Sequence, residues 1–324
     1  MTSTLSTPVQ KKADLHLFPN GWYQVAWSDE VKPKGIKTIH FFGRDFIVVR
    51  GEDRKAHIYD PYCPHLGAHL GEGGKVTGNT IQCPFHSWSY NLDSGHCQSI
   101  PYCEKIPKRA QLKSYPVIER HGILFMYYHA QQEIPSQDLQ NLPELDSNEW
   151  VLSKKMTLQC RGILRDVMEN IADIAHFKYI HGGDIIPESD IQIEDNVFHC
   201  NLTNTVTYFG KTLPAKTKLS VLQPGLLFVR ILSPMDFMFL SGATPIKKDE
   251  FKLNVMIFLR KSNIASRAIK NLLISYELKR QLEEDFKIIA NRAQQHASLF
   301  CAADGSLVRF RKWYEQFFSP MEEI

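Results

Sequence analysis

Tyr62-Cys63-Pro64-His65-Leu66-Gly67-Ala68-His69-Leu70 and, ten residues later, Ile81-Gln82-Cys83-Pro84-Phe85-His86-Ser87-Trp88-Ser89-Tyr90 decide how this chain is read. Each arm carries one cysteine and one histidine, Cys63 with His65 and Cys83 with His86. The pairs are separated by 17 residues. That set suits a 2Fe–2S cluster in which two thiolates hold one iron and two neutral imidazoles hold the other. Zinc takes the same ligand types, but its sites usually pair Cys with Cys and His with His along the chain. The cluster is therefore the better fit, with zinc as the alternative.

The segment from Trp22 to Tyr128, with Gly95-His-Cys-Gln-Ser-Ile-Pro downstream of the two arms, resembles the Rieske domain of the Rieske non-heme iron oxygenases. Rieske proteins of respiratory cytochrome complexes add a disulfide between the cluster loops. The corresponding positions here are Ala68 and Phe85, so the resemblance points to an oxygenase rather than a membrane electron carrier.

At 324 residues the chain suits two domains, each able to bury its own core. A formal net charge of +3, without a basic block interleaved with aromatics, gives no reason to expect nucleic acid as a partner. Of seven cysteines, two belong to the cluster; Cys97, Cys103, Cys160, Cys200 and Cys301 lack regular spacing and read as reduced, packed thiols. Met1 to Asp14 is polar and lacks the apolar core of a signal peptide, and no run of 18 apolar residues occurs. A cytoplasmic protein with no membrane span is expected.

Residues 1–17 read as a mobile tail, 18–130 as the cluster domain and 131–324 as a second, catalytic domain. In the first domain Thr38 to Gly43 and Phe46 to Arg50 predict a hairpin around Gly43-Arg44-Asp45, and Ile123 to Tyr128 another strand. Gln131, Gln132, Pro135 and Ser136 mark the linker. The second half predicts a helix over 164–179. It then shows two-residue periodicity over 197–208, 216–222, 226–232, 237–243 and 251–259, and a long helix over 264–298. Periodicity alone gives an α+β class. The family resemblance adds an all-β Rieske domain followed by a helix-grip domain, a curved antiparallel sheet wrapped by a long C-terminal helix.

A second metal site is expected between Asn170 and His181. Asn170, Asp173 and His176 fall three apart on one helical stripe. His181 lies about 140° further round and needs the helix to end, which Gly182-Gly183 would allow. Two imidazoles and one carboxylate make a facial triad with open positions on Fe(II). Glu283-Glu284-Asp285 offers three carboxylates. Asp285 shares the apolar stripe of Leu278, Leu282 and Ile289, where an inward carboxylate is costly unless it binds something. It is the chosen ligand, with His176 and His181.

By the same resemblance, the Asp173 carboxylate hydrogen-bonds His176 and reaches His86 of a neighbouring subunit in a head-to-tail homotrimer, bridging electron transfer. Asn170 is a further candidate beside the site. The resemblance implies a terminal oxygenase component, a monooxygenase fed by a separate NAD(P)H-dependent reductase or ferredoxin, since the chain has no nicotinamide or flavin fingerprint. An electron-transfer protein with the cluster alone would have no use for His176, His181 and Asp285. Demethylation, desaturation and amine oxygenation would use the same motifs as hydroxylation. Ile100-Pro-Tyr-Cys, Asp173-Ile-Ala-His-Phe and Phe310-Arg-Lys-Trp-Tyr-Glu-Gln-Phe-Phe are most similar to the 3-ketosteroid 9α-hydroxylase and cholesterol 7-desaturase branch. That branch implies a hydrophobic, polycyclic or steroid-like substrate. Met235, Phe237, Met238, Phe239 and Met256 are candidates to line its cavity, or simply core.

Overall fold

The computed structural model describes residues 17–208, 211–293 and 298–319. Most of the expected tail therefore lies outside the described residues. Eleven strands build the first half: β1 (Gly21–Trp27), β2 (Ile36–Phe41), β3 (Arg44–Arg50), β4 (Ala56–Tyr59), β5 (Lys75–Thr77), β6 (Thr80–Gln82), β7 (Ser89–Asn91), β8 (Cys97–Ser99), β9 (Ser114–Tyr115), β10 (Val117–Arg120) and β11 (Ile123–Tyr128). They form three small sheets, ordered β1-β11-β10, β2-β3-β4-β9 and β5-β6-β7-β8. The last of these carries the two cysteine arms on the loops before β5 and before β7. The β2–β3 hairpin turns at Phe42-Gly43, with Phe41 opposite Arg44. Both turn residues have positive φ, 53° and 71°, which is what a two-residue hairpin turn requires. Arg44 and Asp45, expected in the turn, therefore begin the second strand.

The second half starts with the single helical turn α1 (Pro143–Asp146) and strand β12 (Trp150–Arg161), then α2 (Leu164–Glu169) and α3 (His176–Tyr179). Strands β13 (Glu188–Glu194), β14 (Val197–Tyr208), β15 (Lys211–Gln223), β16 (Leu226–Ser233), β17 (Phe237–Lys247) and β18 (Glu250–Arg260) follow, then α4 (Ile264–Ile289) and α5 (Gly305–Tyr314). One seven-stranded antiparallel sheet, ordered β12-β18-β17-β16-β15-β14-β13, collects all these strands. The α+β expectation of small sheets, then a large antiparallel sheet gripping a long helix, holds. The five periodic runs are its inner strands. The two edges, β12 and β13, were not expected, because an edge strand with one wet face carries charges such as Lys154, Lys155, Glu188 and Glu194 where an inner strand carries apolar residues.

Alternation along β18 sorts the core. Phe251, Leu253, Val255, Ile257 and Leu259 join the cluster that includes Leu164, Met168, Ile274, Phe310 and Tyr314 from the helices. Met256 and Phe258 point the other way, toward Trp22, Trp27, Phe125, Met238 and Leu240. The five candidate cavity residues are split by the same period. Met238 and Met256 are buried core on one face, while Met235, Phe237 and Phe239 pack on the helix-bearing face.

Two expected helices differ from the structure. The one over 164–179 is broken into α2 and α3 by a turn at 170–175. Asp173 is the cause we identify: its carboxylate accepts from the His176 backbone N–H at 3.4 Å, so the side chain competes with the helical ladder and caps a fresh turn. The long helix begins where Asn263 accepts from the Ser266 backbone N–H at 2.8 Å. It ends at Ile289 rather than 298, where the Asn291 side chain donates to the Lys287 carbonyl at 2.8 Å. Residues 294–297 lie outside the described residues.

Two apolar clusters span both halves. Phe42 and Phe46 sit in the same apolar cluster as Val255 and Phe310. The hairpin tip donates from Phe42 and Gly43 backbone N–H groups to Pro245 and Ile246 carbonyls at 2.8 and 2.7 Å. The chain just after the expected linker is irregular but anchored, since Leu139 and Leu142 are buried and the Trp22 indole N–H donates to the Gln137 carbonyl at 3.1 Å. The terminal aromatic motif is core as well. Phe310, Trp313, Tyr314 and Phe317 line one face of α5 and the turn after it, and each contributes on the order of 2 kcal/mol of burial. All seven cysteines are free, yet Cys103 and Cys301 are exposed rather than packed.

Candidate cluster and metal sites

The two cysteine arms fold alike. The Cys63 carbonyl accepts from Gly67 N–H at 2.9 Å and the Cys63 N–H donates to the Ala68 carbonyl at 2.9 Å; Cys83 repeats this with Ser87 at 3.1 Å and Trp88 at 2.8 Å. The fourth residue after each cysteine turns with positive φ, Gly67 at 73° and Ser87 at 58°. Matching turns present both thiols inward, where Cys63 and Cys83 are buried. The imidazoles of His65 and His86 lie beside each other with ring centroids 4.8 Å apart. The two arms thus bring thiol beside thiol and imidazole beside imidazole. The His86 Nδ1 is buried without a hydrogen-bond partner, an arrangement that costs energy unless a ligand takes up the lone pair. The donor set fits a cluster.

Spacing did not reveal the groups around these four. The Tyr90 hydroxyl lies 3.1 Å from Cys63 Sγ. Burial, reinforced by that thiol, pushes its pKa far above the ordinary value, so it stays a donor, and donors to the sulfurs tune a cluster's potential. His65 stacks on Trp88 at 4.4 Å and 9°, and the Trp88 indole N–H donates to Tyr102 at 2.8 Å. Burial raises the Cys83 thiol, so iron must displace its proton on binding.

The second site is assembled from α3, the residues after it and the C-terminal part of α4. His176 opens α3, and His181 follows its end, where Gly182 turns at φ 71° as the glycine pair suggested. Their rings lie 5.1 Å apart. Asp285 joins them from α4, and one donor atom from each of His176, His181 and Asp285 lies within 4.8 Å of the others. The inward choice on α4 agrees with exposure: the Asp285 side chain is 13% exposed, Glu284 35% and Glu283 60%. Asp285 Oδ1 is buried without a hydrogen-bond partner, although it lies 3.2 Å from His181 Nε2. The two atoms are close but not aligned on one another, which suits a shared cation. Three such donors fit a facial triad.

Electrostatics separate the two histidines. Burial pushes His176 below its ordinary value and keeps it neutral, the form a metal needs. Burial also acts downward on His181, but Asp285 and Glu284 on either side of its ring more than offset it, and its pKa is raised. Asp173 differs from expectation. Its main-chain carbonyl, not its carboxylate, touches His176 Nδ1. The half-buried carboxylate uses one oxygen on the His176 backbone N–H. Asn170 caps α2 at its C-terminal end and, among the described residues, makes no hydrogen bond to either histidine.

Comparison with known proteins places these sites in a family. Residues 21–116 match the Rieske [2Fe-2S] domain and residues 126–318 the 3-ketosteroid 9alpha-hydroxylase C-terminal domain. The chain is 30% identical to cholesterol 7-desaturase of Caenorhabditis elegans, over 94% of this chain and 77% of that protein. It is 24% identical to the oxygenase component of 3-ketosteroid-9-alpha-monooxygenase of Rhodococcus rhodochrous, over 95% and 85%. The crystal structure of dicamba monooxygenase bound to dicamba has the same fold, with a TM-score of 0.73 at 15% identity over 92% of this chain and 97% of that one. The cluster, not zinc, is what the first match specifies. This chain belongs to the Rieske non-heme iron oxygenases, oxidoreductases whose cofactors are a 2Fe–2S cluster and a mononuclear iron.

Proposed function

We propose that this protein is the terminal oxygenase of a multicomponent system that hydroxylates a hydrophobic, polycyclic or steroid-like small molecule. The observation that carries the proposal is the convergence of His176, His181 and Asp285 within 4.8 Å in a chain that also presents both cluster arms. When bound, the cluster stores single electrons and the mononuclear iron activates dioxygen. The chain's own residues then hold the metals and their geometry. Cys63, His65, Cys83 and His86 are the proposed cluster ligands, and His176, His181 and Asp285 the proposed iron ligands. Electrons come from a separate NAD(P)H-dependent reductase or ferredoxin, in keeping with the relative named as an oxygenase component.

The substrate class rests on the ketosteroid hydroxylase match over residues 126–318. Relatives named as cholesterol 7-desaturases favour a second reading, desaturation of a sterol on the same scaffold. We place the division between cluster and catalytic domains near residue 130. We also propose a cytoplasmic location, which suits seven free thiols, and a head-to-tail homotrimer. In that trimer Asp173 would meet His86 of the next subunit, and its second carboxylate oxygen, which has no partner among the described residues, is available for this.

Protein purified without oxygen should contain about three irons and two labile sulfides per chain by ligand count. Reduction should give a rhombic EPR signal of low average g. Incubation with a steroid panel, a surrogate reductase and oxygen should then give a product heavier by one oxygen, or lighter by two hydrogens on the second reading. Two irons per chain with no turnover of any substrate would reduce the protein to an electron carrier.

A further inference from the structure

Glu284 and Asp285 are consecutive on α4, about 100° apart around the helix, and they straddle a single imidazole. The His181 ring is 7% exposed. Its Nδ1 meets Glu284 Oε2 at 3.3 Å in hydrogen-bonding geometry. Its Nε2 lies 3.2 Å from Asp285 Oδ1 without that alignment. One edge of the ring is thus engaged by a carboxylate, and the other faces the point shared with Asp285 and His176. Glu284 has no oxygen in that converging group. Its other oxygen, Oε1, accepts from Arg280 Nη1, and Arg280 is held in turn by Glu277 at 2.6 and 3.1 Å.

We propose that Glu284 is a positioning residue for the iron site: it accepts the Nδ1–H of His181 and so commits Nε2 to the metal. The assignment rests on the iron site proposed above and adds to it a residue outside the ligand set. An imidazole has two nitrogens, and the hydrogen bond made by one decides which proton tautomer leaves the other free to ligate. His176 is held in the same sense by a different device, the Asp173 main-chain carbonyl at its Nδ1. Both histidines therefore present Nε2 to the site. Arg280 fixes the Glu284 rotamer, so the carboxylate cannot swing toward the metal and compete with Asp285.

Protein loaded with its cluster but stripped of mononuclear metal can be titrated with Co(II), read by visible absorption of the bound ion at fixed pH. Glu284→Ala should weaken Co(II) binding about 10- to 100-fold, the usual effect of losing such a partner. It should also change the Co(II) spectrum while leaving the cluster spectrum unchanged. Glu284→Gln should restore most of the affinity, because its amide oxygen still accepts from Nδ1–H. A role limited to the helix would show equal losses in Ala and Gln variants and an unaltered Co(II) spectrum, which would overturn the assignment. So would Glu284→Ala binding as tightly as the parent. If Asp285→Ala keeps the ion and Glu284→Ala loses it entirely, Glu284 is the ligand and the assignment is wrong. A parent protein that binds no Co(II) here would refute the iron site itself, a different outcome from any variant effect.

Discussion

Asp173 shows how one residue can serve two purposes that sequence spacing merges into one. Its backbone carbonyl orients His176 and its carboxylate caps the turn that carries His176. The ring contact is a main-chain one, so Asp173→Asn should leave His176 oriented and both metals bound. What the substitution removes is negative charge at a half-buried oxygen proposed to face the neighbouring subunit. Asp173→Asn should therefore keep full iron content but slow the decay of the reduced-cluster EPR signal in single-turnover experiments with substrate and oxygen, by about tenfold or more. That corresponds to at least about 1.4 kcal/mol on the barrier. Unchanged decay in an active trimer would reduce Asp173 to a local orienting residue. Asn170, on the same expected stripe, makes no comparable contact among the described residues, because the expected helix is broken between Glu169 and His176.

At the scale of elements, the C-terminal helix is locked to the helix preceding the metal turn. Glu169, the last residue of α2, is nearly fully buried with its carboxylate gripped by Arg311 of α5, at 2.9 Å between Oε1 and Nη2, while Arg292 stands 3.4 Å away. Three residues separate Glu169 from Asp173, so the lock braces the turn that presents His176. Removing one member leaves a buried charge without its main partner. Arg311→Met should destabilise the protein by about 3 kcal/mol, and adding Glu169→Leu should recover much of it, because no charge is then stranded. Guanidinium unfolding midpoints would measure both. Equal stability of parent and Arg311→Met would mean that Arg292 alone satisfies Glu169. Neither partner was legible in sequence: positions 169 and 311 are joined only by the packing of α2 on α5.

For the whole molecule, acid should act through half-buried histidines spread over both halves. Burial lowers the pKa of His57, His121, His129 and His199, and the nearby carboxylates, such as Asp146 beside His121 and Glu133 beside His129, offset it only in part. Each is held below the ordinary value of 6.5 in the folded state. Their contribution to stability is therefore complete above pH 6.5 and is lost as pH falls through the lowered values, since the unfolded chain binds the protons first. Thermal denaturation followed by circular dichroism should give a lower Tm at pH 5.5 than at 7.5. A Tm that held or rose on acidification would contradict this. An apolar cluster that packs Phe42 and Phe46 of the first half among Val255 and Phe310 spans both halves, so such losses are felt across both.

Several features were legible from residue order alone because they depend on short-range chemistry. Cys63, His65, Cys83 and His86 lie on tight loops whose hydrogen bonds close within five residues, so motif and geometry coincide. The inner strands were legible because successive side chains point to opposite faces of the sheet, a period that residue order alone records. Asp285 could be singled out because a carboxylate on an apolar helical stripe is costly unless it has a partner. Other features depend on contacts between distant segments. The approach of His181 and Asp285 across 103 intervening residues, the placement of Glu284 on the far edge of the same ring, and the Glu169–Arg311 lock all needed the folded chain. So did the edge strands and the break at 170–175, where local signals are weak or opposed. Tertiary packing decided these, because it alone sets which polar groups are buried together and must satisfy one another.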